Sequence, residues 1–426
     1  MNHYLDLILI PVQIIIVIYT IYYIVLAAFG MWRRKEKKNY TPKNTFAVII
    51  CAHNEEAVVG QLIKNLHDLD YPDDMYDIFV VADNCTDSTA QVAEAAGAQV
   101  YVRENKVEVG KGYAMGWMFD RVEAMDRKYD AYIIFDADNL VHPQFLREMN
   151  HHLEKGESVI QGYLNAKNPT DSWVAGTFSI MFWTVNHMWH LAKYNVGLST
   201  ALGGTGMCIR TDIIRKYGWD CNSLTEDMEF SMKLLSHGVR TCWAHDAIIY
   251  DEKVTGFMAS CRQRLRWAQG QFDTAGRYIP ILFAVGIKKG SIRILDGIIQ
   301  VSQPYFLLLT TIYMIISTIN SELINYWGPE HELYTNILFQ VIPVGAWQII
   351  WFLQYAFPLV VLLQIKVPPK CWFYYLIYPI FVYSWIPVNI LGFIRRHDKR
   401  WSHTAHTRAV AMGDVKLTRM GDMHHK

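Results

Sequence analysis

The sequence predicts an α/β domain with a mostly parallel sheet, held between apolar segments that are long enough to cross a membrane. Three observations predict this: short β-branched runs alternate with helical patterns over residues 45–250, residues 7–29 carry no charge, and long apolar stretches follow residue 299. The formal net charge is zero, which argues against a nucleic-acid partner. Seven scattered cysteines form no C-x-x-C pair, so a zinc or redox site is not expected.

The alternating part of the chain supplies the α/β prediction. We expect strands at FAVIICA, DIFVVAD, AQVYV, DAYIIFDAD and GTGMCIR, and helices near residues 55–69, 87–97, 111–127 and 143–154. Ligands of parallel sheets bind at the carboxyl ends of the strands. Several of these strands end in Asp or in a polar loop, so the functional site is expected there.

The N-terminal apolar segment, residues 7–29, is predicted to be a membrane anchor and not a cleaved signal peptide. At ~1.5 Å per residue, its 23 positions cross a hydrocarbon core of ~30 Å. No basic region precedes it, and no small-residue cleavage site follows it. The next stretch, WRRKEKKNYTPK, contains six Lys or Arg, which predicts that residue 32 onward lies in the cytosol.

The C-terminal part predicts further spans at residues 299–319, 336–364 and 371–394. The loop NSELINYWGPEHEL has acids and no Lys or Arg, as expected outside, whereas the tail RRHDKRWSHTAHTR is strongly basic. Three full spans would put that tail outside, yet the positive-inside rule puts it inside. Residues 371–394, which contain Pro379 and Pro387, are therefore the first candidate for a re-entrant segment.

Two other stretches, residues 172–194 and 273–298, are predicted to be amphipathic helices on the bilayer surface. The first is rich in Trp and Met with few charges, and the second mixes Arg and Lys with apolar residues. Packing in the domain core is the alternative for the first stretch.

The first two strand tips carry candidate nucleotide ligands. Asn54 and Glu55 lie in the loop CAHNEE, which fits a loop that holds a ligand ring, although an N-cap at Asn54 explains it equally well. Asp83 ends the second strand, where a carboxylate can accept hydrogen bonds from a base N–H or from ribose hydroxyls. Helix capping is the alternative there, and it suits Asp87 better than Asp83.

Asp136 and Asp138 follow a strongly apolar strand and lie one residue apart. Two uncompensated carboxylates repel each other, and a hard cation such as Mg²⁺ or Mn²⁺ removes that conflict while phosphate oxygens complete its shell. Lys111, between two glycines at a predicted helix start, can approach a phosphate, with a plain capped loop as the alternative.

Two later motifs complete the candidate site. Thr225, Glu226 and Asp227 stand at a predicted helix N-terminus, where Asp227 either caps the helix or acts as a general base on an alcohol. In QRLRW, residues 263, 266 and 267 share one helical face, so the Arg266 guanidinium suits phosphate oxygens and the Trp267 ring suits a sugar. A juxtamembrane basic patch is the alternative.

The motifs FDAD, TED and QRLRW, in that order, resemble the membrane-integrated, processive family 2 glycosyltransferases, which include cellulose, hyaluronan and chitin synthases. The strand tips CAHNEE and VADNCTDST, the GGTG at 203–206 and the apolar segments agree, so the resemblance covers roughly residues 7–410. CAHNEE departs from a P-x-Y-N-E form. The sequence has one predicted N-terminal span, where some relatives have two.

The resemblance implies a Rossmann-like GT-A domain in the cytosol, inserted between transmembrane helices with interface helices, and an inverting transfer that requires Mg²⁺ or Mn²⁺. Asp83 would contact uridine, Asp227 would take the acceptor proton, and Trp267 would stack on the acceptor sugar. The expected roles of the matching positions are: catalytic, Asp227, Glu226 and Thr225; nucleotide-sugar-binding, Asn54, Glu55, Asp83, Lys111, Asp136, Gln263 and Arg266; acceptor-binding, Trp267 and Gly204; metal-binding, Asp136 and Asp138.

The leading hypothesis is a multi-pass enzyme of the cell membrane that polymerises and extrudes a β-glucan made from UDP-glucose. The alternatives are a synthase that uses UDP-N-acetylglucosamine, a non-processive transferase that adds one sugar to a lipid-linked acceptor, and a transport or scaffold protein with a degenerate domain. The acids at 136, 138 and 227 argue against the last of these. The expected units are residues 1–31, 32–257, 258–298, 299–394 and 395–426.

Overall fold

The computed structural model describes residues 3–33, 36–221, 223–337, 355–398, 412–414 and 419–420. Within them an eight-stranded sheet has the order β3-β2-β1-β4-β7-β6-β8-β5. Its strands are β1 Phe46–Ala52, β2 Tyr76–Asp83, β3 Gln99–Arg103, β4 Ala131–Asp136, β5 Leu140–Val141, β6 Val159–Ala166, β7 Met207–Arg210 and β8 Cys242–Asp251. A short antiparallel ladder joins β9 Ile365–Lys366 to β10 Arg419–Met420.

The sheet is parallel in one half and mixed in the other. Strands β3, β2, β1 and β4 pair in parallel, as the alternating pattern predicted. Strand β7 is antiparallel to both β4 and β6, and β5 is antiparallel to β8, so the expectation of a mostly parallel sheet is wrong for this half. In this half β7 lies within the predicted strand GTGMCIR, whereas β6 and β8, which pair in parallel with each other, were not predicted.

Helices cover both faces of the sheet, because neighbouring side chains of a strand point to opposite faces. Phe46, Val48 and Ile50 pack on one face, and Ala47 and Ile49 pack on the other. The helices of this part are α1 His3–Ala28, α2 Val59–His67, α3 Thr89–Ala95, α4 Lys111–Ala124, α5 Phe145–Glu154, α6 Trp173–Val185, α7 Ala192–Asn195, α8 Thr211–Tyr217 and α9 Glu226–Ser236, with a π-helical turn Asn186–Leu191 and a 3₁₀ turn Asp73–Met75.

The segment 172–194 packs inside the protein, which corrects its prediction as a bilayer-surface helix. In α6, Val174, Phe178 and Ile180 are buried, and Trp183 donates a 2.7 Å hydrogen bond from Nε1 to Asn165 of β6. An interfacial helix would leave one apolar face exposed, whereas burial extends around most of α6. Packing in the protein interior, the alternative for this segment, is therefore correct.

The remaining helices follow the α/β domain. They are α10 Phe257–Lys289, α11 Ile292–Val301, α12 Gln303–Trp327, α13 Tyr355–Gln364, α14 Pro369–Tyr383 and α15 Trp385–Ile394, with 3₁₀ turns at Pro329–His331 and Met412–Asp414. Helix α12 begins later than residue 299 and continues through NSELINYW, which was expected to be a loop. The predicted span 336–364 falls largely outside the described residues, as does most of the basic tail.

Three helices among the described residues are long and apolar enough to cross a membrane: residues 4–28 of α1, α12, and the continuous run of α14 and α15. Many of their apolar side chains are exposed, as at Leu7, Ile315 and Leu376. Near them, α10 and α11 expose Phe283, Ile287 and other apolar side chains next to Lys288.

Candidate active site

Three strand ends meet at one edge of the sheet. In the strand register, Ala52 of β1 lies beside Ala82, one residue before Asp83, and Cys51 lies beside Asp136 of β4. Because these strands are parallel, their carboxyl ends reach the same edge. The site was expected at this edge, and Asp83 and Asp136 both lie there.

Lys111, the first residue of α4, lies in the cleft at this edge of the sheet. It connects the end of β4 to the GGTG turn at 203–206. Its Nζ donates to the Asp136 carboxylate and, at 2.6 Å, to the carbonyl oxygen of Gly204. Burial lowers the pKa of Lys111, but the carboxylates of Asp136 and Glu226 more than offset this, so the pKa lies above its ordinary value. The lysine is therefore a fixed positive charge among several acids.

Asp227 lies across the cleft from this lysine, on the first turn of α9. A Cβ at Gly204 would lie 3.4 Å from Asp227 Oδ2, so the glycine and the carboxylate are in contact range. Burial and the neighbouring Glu226 raise the pKa of Asp227 to about 7, although the Met228 N–H donates to its Oδ1 at 2.7 Å. Burial likewise raises the pKa of Glu226. Thr225, not Asp227, is the N-cap residue of α9.

The Q-x-x-R-W helix, α10, packs directly on the TED turn. A Cβ at Gly270 would lie 2.6 Å from Thr225 Oγ1, so only glycine permits this approach. The positive charge of Arg266 is close enough to offset a small part of the rise that burial causes in the pKa of Glu226. Gln263 and Arg266 form no side-chain hydrogen bond with any residue that the structure describes. The half-buried Trp267 ring packs edge-on against Phe178, with 5.9 Å between ring centroids.

The loop that follows β1 and the loop that follows β2 are hydrogen-bonded to each other. Asn54, at a φ of 56°, accepts a 2.7 Å hydrogen bond from the Thr86 N–H, and the Glu55 N–H donates to Thr89 Oγ1 at 2.8 Å. Asn54 thus bridges the loops and does not precede α2 as its N-cap, which is Val58.

Asp83 itself is held by a buried arginine on the neighbouring strand. Arg103 Nη1 donates to Asp83 Oδ1 at 2.7 Å, and both side chains are buried. Asp87 Oδ1 accepts a 3.0 Å hydrogen bond from the Thr89 N–H at the start of α3, although the N-cap residue of this helix is Ser88. Asp83 remains at the cleft edge in a fixed orientation.

Asp138 has surroundings different from those of Asp136. Its Oδ2 accepts a 3.0 Å hydrogen bond from the Glu252 N–H at the end of β8, close to the ion pair between Asp251 and the buried Lys253. The two aspartates are thus each compensated by protein groups, and the repulsion argument does not require a metal. No group of three or more His, Cys, Asp or Glu within the described ranges forms a ready metal shell.

A model of the glycosyltransferase-like family 2 matches residues 42–270, which include every motif described above except the terminal apolar segments. The chain belongs to glycosyltransferase family 2. A probable glycosyltransferase of Bacillus subtilis, YdaM, is 27% identical over 65% of each chain. A β-monoglucosyldiacylglycerol synthase of Nostoc is 28% identical over 53% of this chain and 49% of its own. The matches thus span from about half to about two thirds of those relatives.

A solved structure agrees with the fold of this family 2 glycosyltransferase. A mannosyltransferase from Pyrobaculum calidifontis, in complex with GDP-mannose and Mn²⁺, superposes with a TM-score of 0.58 and covers 93% of this chain and 100% of its own. The identity is 14%, so the likeness concerns the fold. The α/β part of the glycosyltransferase is a GT-A fold, as the sequence resemblance implied.

Several residues that shape the cleft were missed in the sequence. Gln161, buried on β6, accepts from the Gly203 N–H at 2.7 Å and donates to the Thr205 carbonyl at 2.8 Å, so it holds the GGTG turn. Thr205 Oγ1 in turn accepts from the Asp136 N–H at 3.0 Å. A glutamine within the apolar run VIQGYL was the available signal, because a buried polar side chain requires partners.

Proposed function

We propose that this glycosyltransferase moves a hexose, with inversion, from UDP-glucose to an acceptor hydroxyl at the membrane face, and repeats the step to build a β-glucan. The observation that carries the proposal is one series of contacts. Asp136 accepts from Lys111, Lys111 donates to Gly204, and Gly204 lies against Asp227. The acid suited to be the base is thereby close to the groups suited to hold the diphosphate.

The donor would lie along the strand tips, with Asp83 accepting from the uracil N–H and Lys111 facing the diphosphate. Asp136 and Asp138 would hold Mg²⁺ or Mn²⁺, which supplies positive charge for the departing diphosphate. The residues fit such an ion, because two carboxylates with phosphate oxygens are a usual set for a hard cation. Arg266 would add a second, permanent positive charge on the opposite side.

Asp227 suits the role of general base. A carboxylate with a pKa of about 7 is mostly ionised just above neutral pH and still basic enough to accept a proton there. In the proposed step Asp227 takes the acceptor proton, the acceptor oxygen bonds to the anomeric carbon, and the C1–O bond to UDP breaks. Attack opposite the leaving diphosphate turns an α-linked donor into a β-linked product.

The acceptor would lie on the α10 side of the cleft, against the half-buried Trp267. Phe178 and Phe182 back this ring, with centroids at 5.9 and 6.2 Å. Residues 258–298 would then form the membrane-interface part of the enzyme, with residues 32–257 as the cytosolic GT-A unit. The apolar side chains exposed on α10 and α11 support this orientation.

Transfer of one sugar to a lipid is the second candidate. It is favoured by the β-monoglucosyldiacylglycerol synthases among the relatives, at 25–28% identity. A diacylglycerol hydroxyl at the bilayer surface would meet the same base and the same donor. Only the acceptor differs between the two candidates.

The experiment is to incubate membranes that contain the enzyme with radiolabelled UDP-glucose and Mg²⁺ or Mn²⁺, then separate the products by solvent extraction. We expect insoluble or high-molecular-weight label that a β-glucanase digests. If the label is extracted entirely into chloroform, the product is a glycolipid and not a polymer. Parallel reactions with UDP-N-acetylglucosamine and GDP-mannose test the donor. If neither UDP-glucose nor UDP-N-acetylglucosamine is turned over, the UDP assignment is wrong.

A further inference from the structure

Arg264 lies inside the Q-x-x-R-W motif but outside the face that carries its expected functional side chains. Gln263, Arg266 and Trp267 are half-buried, and the charge of Arg266 acts on Glu226 of the cleft, whereas Arg264 is fully buried on the adjacent side of α10. Ser260 and Ala268, one turn before and after Arg264, are buried with it. Helix α10 therefore has a cleft face and a buried anchoring face.

The guanidinium of Arg264 is bound where α14 ends and α15 begins. Its Nη1 donates to Ser384 Oγ at 2.8 Å, and Ser384 Oγ donates to the Phe381 carbonyl at 2.6 Å. The charge also lies 4.5 Å from the ring centroid of Phe381 and 5.2 Å from that of Trp385. Ser384 stands between the two helices of the apolar run Pro369–Ile394.

Arg264 has no carboxylate partner among the residues that the structure describes. Aromatic faces, the Ser260 carbonyl at 3.3 Å and neutral side chains surround the buried cation. Burial of a charge without a counter-ion is unfavourable, so methionine would be the more stable residue at this position if apolar packing were its only role. The contacts instead fix the orientation of the planar Arg264 guanidinium, because hydrogen bonds and aromatic faces hold it at the same time.

Two further contacts continue this anchoring face along α10. A Cβ at Gly392 would lie 2.6 Å from Ala268 Cβ, so α15 approaches α10 as closely as glycine allows. Gln269 Nε2 donates to the Arg395 carbonyl at 2.9 Å, at the end of α15. The segment of α10 that carries the cleft face is thus fixed to an apolar helix run and not only to the α/β domain.

We propose that Arg264 is a positioning residue for glycosyl transfer, which sets the rotation of α10 and thereby aims Arg266 and Trp267 into the cleft. This rests on the roles proposed above for those two residues. The nucleotide loops do not depend on Arg264. Its loss should therefore lower turnover and leave the binding of the nucleotide almost unchanged.

The test compares Arg264→Met and Arg264→Lys with Arg262→Met, an exposed arginine two residues earlier on the same helix. Turnover is measured per nucleotide-binding site, counted by UDP titration, so that misfolded protein does not contribute. We expect kcat of Arg264→Met to fall by about tenfold or more with KM for the donor changed by less than about twofold. Arg264→Lys should recover part of kcat, and Arg262→Met should equal the wild type.

A kcat per site of Arg264→Met within about twofold of the wild type would overturn the proposal. If that variant yields no UDP-binding protein, Ser384→Ala decides: a fall in kcat of about threefold or more supports the role, and unchanged kcat refutes it. The assay uses UDP-glucose or, if the wild type does not turn it over, UDP-N-acetylglucosamine or GDP-mannose, with the matching nucleotide for titration. Failure of UDP-glucose thus counts against the proposed donor and not against Arg264.

Discussion

At one end of the cleft, here called the nucleotide end, the polar side chains bond to one another, whereas at the other, the helix end, Gln263 and Arg266 of α10 form no side-chain hydrogen bond with a described residue. The nucleotide end consists of Asp83 with Arg103 and of Asp136 with Lys111. The helix end consists of Gln263, Arg266 and Trp267, whose positions depend on the anchoring of other faces of α10. Hydrogen bonds between its own side chains order the nucleotide end, whereas the packing of the buried face of α10 orders the helix end.

This difference has a kinetic consequence. Substitutions that disturb the bonded pairs should weaken donor binding, because they release the groups that we propose to hold the nucleotide in the ground state. Substitutions at the helix end should act more on the acceptor and on turnover. Five substitutions test this contrast, and their expected effects decrease from Asp227 to Glu226.

Asp227 lies between the two ends, and its loss should have the largest effect. Asp227→Asn removes the proton acceptor and keeps the side-chain shape, so we expect kcat to fall about 10³-fold while the UDP dissociation constant changes little. Radiolabel transfer and UDP titration measure the two quantities. Asp212→Asn, at an exposed acid on α8, is the control. A turnover of Asp227→Asn close to that of the wild type would remove the base assignment.

Arg103→Met tests the nucleotide end. The buried arginine fixes Asp83 Oδ1, so its removal leaves the carboxylate buried without its partner and free to reorient. We expect KM for the UDP-sugar to rise by about tenfold, with kcat reduced much less. Initial rates over a range of donor concentrations measure both.

The control for Arg103 is Arg121→Met, which removes an exposed arginine from α4. It should leave both constants unchanged. If Arg103→Met lowers kcat and leaves KM as in the wild type, Asp83 is not orienting the donor in the ground state, and the contrast between the two ends is lost.

The Arg103–Asp83 pair also marks the limit of what could be predicted from the sequence. Asp83 and Asp136 were predictable, because apolar strands end there and parallel strands bring their carboxyl ends together. Arg103 was not, because its partner is fixed by the β2–β3 register, which depends on tertiary packing. The order of the motifs in the sequence was sufficient to predict the GT-A fold, whereas strands β6 and β8 were not predicted.

A second limit concerns the apolar segments. Helix α6 is as apolar as an interfacial or membrane segment, and composition alone did not reveal that α14 and β6 cover it. Phe178 of α6 shows the consequence, because the same side chain contacts both Trp267 and Phe381. Long-range contacts of this kind leave no local pattern in the sequence.

Trp267→Ala tests the helix end. Loss of the ring removes the proposed stacking surface for the acceptor, and a single aromatic contact of ~1 kcal/mol corresponds to a change of about fivefold. We expect shorter products or a higher acceptor requirement, with KM for the donor close to the wild-type value. Product size on a gel measures the first. Phe283→Ala, at an exposed ring later on α10, should change neither, and a donor KM shift in Trp267→Ala alone would contradict the assignment.

The smallest expected effect is a shift in pH dependence at the TED turn. Burial and the Glu226 charge raise the pKa of Asp227 to about 7, and the base must be ionised to act. The rate should therefore be lost as pH falls below about 7 and level off above it. Glu226→Gln removes the negative neighbour, so ionised Asp227 becomes easier to form and its pKa falls.

We expect the acid limb of kcat/KM, which reports the free enzyme, to move to lower pH by about half a unit to one unit in Glu226→Gln, whatever the change in maximal rate. Glu94→Gln, at an exposed acid on α3, should leave the limb in place. An unmoved limb would mean that another group controls it. A limb that moves upward would mean that Glu226 stabilises the ionised base and does not repel it. Because the charge of Arg266 opposes the burial that raises the pKa of Glu226, the same profile in Arg266→Met would also tell whether the helix end influences the base.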